Sequence, residues 1–168
     1  MQSIVSRKIH GAAGPFDINL PLVGNPGVEC RSPGQTGTGG VDYKMIFTFA
    51  TPMTSCGVAS TGTVVSGPNS NQCTVNLTGL PNAQYRTVNL TGVTNPTSSV
   101  NVSGTMGVLT GDVNASKVVT TGDTNLCKAQ ALQPVTNSNF RNDINASGAI
   151  TTGDVNIIKQ NALSQLPP

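Results

Sequence analysis

The chain has 168 residues, of which 36% are hydrophobic, 10% charged and 4% aromatic, and its formal net charge is +2. That length suits one medium domain or two small ones. The near-neutral balance without a basic cluster argues against a nucleic-acid partner. No stretch is long and apolar enough to span a membrane, and the abundance of Gly, Thr, Ser, Asn, Val and Pro fits a secreted all-β chain with many turns.

From the N-terminus, Met1 to His10 lacks the apolar run and cleavage site of a signal peptide, so an exported protein would carry this sequence as a mature product or as the end of a longer chain. Ser3 to Ile9 and Phe16 to Leu22 read as short strands broken by Gly11, Gly14 and Pro15. Cys30 to Gly40 is too glycine-rich for regular structure. The segment Tyr43 to Phe49 alternates and places Tyr43, Met45, Phe47 and Phe49 on one face. Further strand candidates are Gly57 to Ser66, Gln72 to Leu77, Tyr85 to Leu90 and Ser99 to Met106, separated by GPNSN, GLPN and GVTNPTS. Strands at this spacing predict an Ig-like β-sandwich of about seven strands over residues 1–109.

The pattern then changes to a duplication. A shift of 31 lays GDVNASKVVTTGDTNLCKAQAL onto NDINASGAITTGDVNIIKQNAL. Counting Asp112 as position 1, side-chain oxygens recur at 1, 3, 5, 9 and 12: Asp112, Asn114, Ser116, Thr120 and Asp123, then Asp143, Asn145, Ser147, Thr151 and Asp154. This is the ligand rhythm of a twelve-residue calcium loop, in which position 7 adds a main-chain carbonyl, here Val118 or Ala149. Turn-forming composition alone does not demand the same five positions twice, and magnesium favours fewer protein ligands. Position 8 is apolar in both copies, Val119 and Ile150, as expected if the loops pair back to back. Position 6 needs a sharp turn and is Gly148 in one copy but Lys117 in the other, so the first site is expected to be the weaker. With two carboxylates per loop, both sites suit a calcium-rich exterior. After each loop the spacing becomes helical, with Leu126, Cys127 and Ala131, then Ile157, Ile158, Ala162 and Leu163, forming the expected buried stripes.

A loop followed by one helix, duplicated across the linker Gln133 to Asn142, resembles the dockerin modules of secreted bacterial proteins. The resemblance covers residues 110–168 and implies two Ca2+ sites and calcium-dependent folding. It also implies a cohesin-like receptor, contacted in this family from loop positions 10 and 11 and the helix behind them. Here those positions are Thr121, Gly122 and Lys128 with Ala129, and Thr152, Gly153 and Lys159 with Gln160. Gly122 and Gly153 depart from the family in offering no side chain there. The preceding stretch SRKIHGAAGPFDINLPLVGNPGVECRS, with VDYKMIFTFATP, resembles a C-terminal accessory β-domain of large secreted proteins of environmental bacteria. Together these imply a mainly β chain with a small α part, bacterial and extracellular or on the cell surface, carrying no active site.

Four cysteines allow three full pairings. Cys56 and Cys73, in consecutive strand candidates, are placed to bridge, which leaves Cys30 for Cys127 and would staple the two halves; free buried thiols are the alternative. No Cys/His cluster suggests zinc. Of six Asp and one Glu, four Asp belong to the loops, leaving Asp17, Glu29 and Asp42 as the only acids for a glycosidase-type pair. His10 is the sole histidine and reads as a surface or strand residue. Without Trp, only Tyr43 and Tyr85 offer a sugar-stacking platform. The Asn-x-Ser/Thr triplets at Asn76, Asn89 and Asn101 read as strand and turn composition. Two functions remain: a structural unit that self-associates, with Gln2 to Ile9 as an arm for a neighbour's sheet edge, or a module docking a larger protein to a cohesin-like receptor.

Overall fold

In the computed structural model, which describes residues 1–168, nine strands form two sheets. They are β1 (Ser3–His10), β2 (Gly14–Asn19), β3 (Gly27–Glu29), β4 (Tyr43–Thr48), β5 (Val58–Ala59), β6 (Thr63–Ser66), β7 (Gln72–Leu77), β8 (Gln84–Thr94) and β9 (Ser99–Val108). One sheet has the order β2-β1-β4-β7-β6 and is antiparallel throughout. The other, β3-β9-β8-β5, is antiparallel except for the parallel pair β3 and β9. Two helices follow, α1 (Thr121–Gln130) and α2 (Thr152–Gln160).

Seven expected strands become nine for two reasons. The run Gly57 to Ser66 splits, its first part pairing with β8 and its second with β7, so the chain changes sheets between Ala59 and Thr63. The short β3 has too few residues to show a period. Tyr43, Met45, Phe47 and Phe49 do share a buried face, and they meet Val88, Leu90, Val93 and Met106 of the facing sheet in one apolar cluster. Cys56 and Cys73 form a disulfide at the margin of that cluster.

β1 is not a free arm. It is hydrogen-bonded to β2 on one side and to β4 on the other, deep within its own sheet. Its inward row runs Ile4, Ser6, Lys8, His10, apolar at one end and polar at the other, and all four are buried. The polar end faces a buried ion pair in which Arg31 donates to both carboxylate oxygens of Glu29, at 2.8 and 2.7 Å, and Ser6 donates to the same carboxylate.

A second apolar cluster joins the two halves: Val28 and Leu109 from the sheets pack with Val113, Val119, Cys127, Ile144, Ile150, Val155, Ile158 and Leu166. The junction is also hydrogen-bonded, since the N–H groups of Leu109 and Gly111 donate to the carbonyls of Glu29 and Cys30. The Arg141 guanidinium donates to the carbonyls of Val113, Val28 and Asp112 at 2.7, 3.1 and 3.0 Å. The expected Cys30–Cys127 staple is absent, and both residues are buried free thiols. Cys30 Sγ faces the Arg141 carbonyl at 3.6 Å and Cys127 Sγ the Asn142 carbonyl at 3.4 Å, so backbone of the 3-10 turn Phe140–Asn142 stands against both sulfurs.

The repeat folds with an approximate twofold relation, but the loops do not pair back to back. Instead Leu163 N–H donates to the Val119 carbonyl and Leu132 N–H to the Ile150 carbonyl, both at 2.9 Å, so each loop pairs with the segment following the other repeat's helix. Val119 and Ile150 are buried as position 8 requires. The buried helix stripe matches the expected one in part: Cys127 in α1 and Ile158 in α2 face inward as expected, Thr124 and Val155 join them, and Leu126 is exposed. Leu132 and Leu163, 90% and 85% exposed, sit past the helix ends in left-handed conformations and cannot extend the stripes.

Candidate metal centre

Each loop is shaped by its own carboxylates. Asp112 accepts from the N–H groups of Ser116 and Lys117 at 2.9 and 2.8 Å; Asp143 accepts from Ser147 and Gly148 at 3.0 and 2.8 Å. At the far end Asp123 accepts from the N–H groups of Asn114 and Thr120, and Asp154 from those of Asn145 and Thr151. Thr120 and Thr151 are also helix N-caps, accepting from Gly122 and Gly153 N–H, so position 9 both closes the loop and starts the helix. The N-terminal end of each helix then faces Asp123 or Asp154. Ser116 Oγ lies 3.0 Å from the Val118 carbonyl and Ser147 Oγ 3.2 Å from the Ala149 carbonyl, which brings positions 5 and 7 together. All twelve residues read from the repeat as ion ligands therefore lie in two equivalent loops.

The carboxylates of Asp112, Asp123, Asp143 and Asp154 are each 0% exposed. Of the four, only Asp143 contacts a basic side chain, His10. A buried carboxylate without a cation is costly, and burial pushes the Asp112 carboxyl up although the N–H groups of Lys117 and Ser116 pull it down. A bound divalent ion would relieve that cost in both loops. The donors around the carboxylates are amide, hydroxyl and main-chain oxygens, a set suited to a hard cation with high coordination number. No three His, Cys, Asp or Glu side chains gather at one point, so neutral oxygens must complete each loop.

At position 6 the two copies share one backbone conformation: Lys117 and Gly148 both adopt positive φ, 73° and 91°, and the Lys117 ammonium turns outward to Asn25 Oδ1 at 3.3 Å. Thr121, Gly122, Lys128, Thr152 and Lys159, named above for a protein partner, are exposed at equivalent places in the two repeats, and Gly153 is half-buried.

The acids outside the loops have other partners. Asp17 forms a two-point pair with Arg7 at 2.7 and 2.6 Å, Glu29 is enclosed with Arg31, and Asp42 Oδ2 accepts from Gly79 N–H at 2.7 Å. Tyr43 is buried and offers no sugar platform. His10 is buried at the end of β1, where Nδ1 lies 2.9 Å from Asp143 Oδ2. The residues are 133 positions apart, and no local pattern announces the contact. Comparison of the chain with family models, curated proteins and solved structures gives no match.

Proposed function

We infer that this chain is a non-catalytic structural module of an extracellular bacterial protein, held rigid by two calcium ions and a disulfide, that serves subunit assembly or surface attachment. The observation that carries the calcium assignment is the pair of equivalent loops whose buried carboxylates lack basic partners, Asp143 excepted. Asp112, Asn114, Ser116, the Val118 carbonyl, Thr120 and Asp123 would hold one ion. Asp143, Asn145, Ser147, the Ala149 carbonyl, Thr151 and Asp154 would hold the other. Bound calcium would neutralise buried charge and fix each loop against its helix, so folding of the C-terminal part is linked to the ion.

The structural reading rests on how the side chains are committed: the loops absorb four acids, and Asp17, Glu29 and Asp42 are engaged in an ion pair, a buried pair and a turn. The shared apolar cluster joins the two-sheet part and the C-terminal repeat, a property that suits load-bearing or attachment. Self-association through a free N-terminal arm loses its support, because β1 is paired on both sides. A second reading, docking to a cohesin-like receptor, is favoured by the exposed and equivalent placement of Thr121 with Lys128 and Thr152 with Lys159.

Sedimentation velocity of the oxidised protein in millimolar calcium, repeated with a chelator, separates these readings. Large species that dissociate on chelation support assembly, whereas a compact monomer that expands on chelation supports docking. A sedimentation profile indifferent to calcium would refute both.

A further inference from the structure

We propose that His10 is a positioning residue for the second calcium loop, so that this ion site is completed by a side chain of the β-sheet half of the chain, whereas the carboxylates of Asp112 and Asp123 take hydrogen bonds from the first loop alone. The inference rests on the calcium reading above and goes beyond it by assigning a role to a strand residue far from either loop.

The hydrogen-bond geometry sets the state of the ring. His10 Nε2 lies 3.1 Å from Arg31 Nη1, and a guanidinium can only donate. Nε2 therefore accepts, and Nδ1 is the nitrogen that donates, to Asp143 Oδ2 at 2.9 Å. Arg31 cannot turn away to release that constraint: it is held by Glu29 and by the carbonyls of Phe16 and Ser6, both at 2.9 Å. The imidazole is held edge-on by Phe16 and Phe140, with centroids 5.1 and 5.9 Å away. Glu29, Arg31 and His10 thus form a buried chain that ends on position 1 of the second loop.

Asp112 has no such donor; the N–H groups of Ser116 and Lys117 and a longer contact from Ser116 Oγ are its partners. At the second loop the backbones meet as well. A Cβ on Gly148 would lie 2.8 Å from the His10 carbonyl oxygen, and one on Gly11 would lie 2.1 Å from the Ser147 carbonyl oxygen. The loop and the end of β1 therefore touch main chain to main chain, and the imidazole proton orients the carboxylate there. Hydrogen-bond partners that orient metal ligands are commonly worth about 10–100-fold in affinity.

The test uses the full chain, stripped of metal and titrated with calcium chloride. Binding is followed site by site through the amide signals of Lys117 and Gly148, whose N–H groups donate to Asp112 and Asp143. His10→Gln keeps an acceptor for Arg31 but withdraws the donor from Asp143, whereas His10→Asn places an amide N–H near the Nδ1 position. We expect His10→Gln to weaken binding at Gly148 by about 10–100-fold and to leave Lys117 within about twofold, with His10→Asn restoring most of the loss. A role in packing alone predicts the opposite ranking, because Gln is nearer His in volume; that ranking, equal losses at both sites, or no loss would overturn the proposal. Imidazole nitrogen signals of the unmutated protein give a readout that no folding defect can blur. They should show protonated Nδ1, with its resonance moving in step with Gly148; an Nε2-protonated ring or an unresponsive one overturns the proposal. Silence of both amides towards calcium refutes the calcium reading itself, and a calcium response indifferent to His10 refutes only this inference.

Discussion

Lys117 and Gly148 hold the same position in two copies of one loop, and both need a left-handed backbone. An L-side chain there costs about 1–2 kcal/mol, while glycine's greater freedom in the unfolded chain returns about 0.5–1 kcal/mol of that difference. Lys117→Gly is therefore expected to raise stability by about 0.5–1 kcal/mol. Gly148→Ala adds a contact at 2.8 Å with the His10 carbonyl and should cost about 2 kcal/mol or more. Urea midpoints in saturating calcium measure both; a loss from Lys117→Gly would contradict the backbone account. The sequence exposes this pair because the copies can be laid side by side, and it conceals His10 and Arg31 because their contacts join distant segments.

A second prediction at this scale concerns alkaline pH. Burial pulls the Lys8 ammonium down from 10.5 to about 8, with Glu29 opposing. The folded chain thus holds that proton less tightly than the unfolded one, and stability rises as pH climbs from about 8 towards 10.5. Burial pushes the thiols of Cys30 and Cys127 up from 9.0 to about 11 and about 12. For them the unfolded chain loses protons first, so stability falls as pH rises above 9.0. The phenol of Tyr43 is also raised by burial and acts in the same direction above 10.0. Chemical denaturation at stepped pH in saturating calcium should show a shallow maximum between about 8 and 9 and a decline beyond it. Lys8→Met should abolish the rise and keep the decline.

Among the elements, β4 and β7 were legible in advance: β4 keeps Tyr43, Met45 and Phe47 on one buried face, although Ile46 on the other is buried too, and β7 falls on its expected residues. β3 was hidden by its length, and the Gly57 to Ser66 run by its change of sheet. The inward helix faces were legible in part: Cys127 and Ile158 are buried as their spacing predicts, but Thr124 is buried where Leu126 is exposed. Cys127 lies in the apolar cluster of the repeat, while Cys30 belongs to the cluster between the sheets. A thiol-directed maleimide therefore reports on the two elements separately. In calcium neither cysteine should react, since each thiol is buried and held protonated. In chelator Cys127 should be labelled at least about tenfold faster than Cys30, as calcium-linked folding of the repeat is lost. Equal rates, measured by mass spectrometry of the peptides, would show that the ions do not hold α1 in place.

For the whole molecule, two staples act on two cores. The disulfide closes a segment with sequence separation 17 at the sheet cluster, and a loop of that order is worth about 3 kcal/mol in the chain-entropy account. The proposed ions would act on the repeat, whose residues alone form a small apolar core. Yet the cores are not independent: Val28 of β3 and Leu109, the residue directly after β9, sit in the second cluster while those strands belong to the sheets. Chelation should therefore loosen β3 as well as the helices, and leave β4 and β7 protected. Hydrogen exchange resolves this through the amides of Leu109, which donates to Glu29, and Phe47, in the centre of its sheet. On chelation Leu109 should exchange faster by about 100-fold or more, the mark of local opening, and Phe47 by less than about tenfold. Reduction of Cys56–Cys73 should reverse the order, accelerating Phe47 more than Leu109. Both amides responding alike to both treatments would mean a single cooperative unit, in which calcium and the disulfide stabilise the same structure.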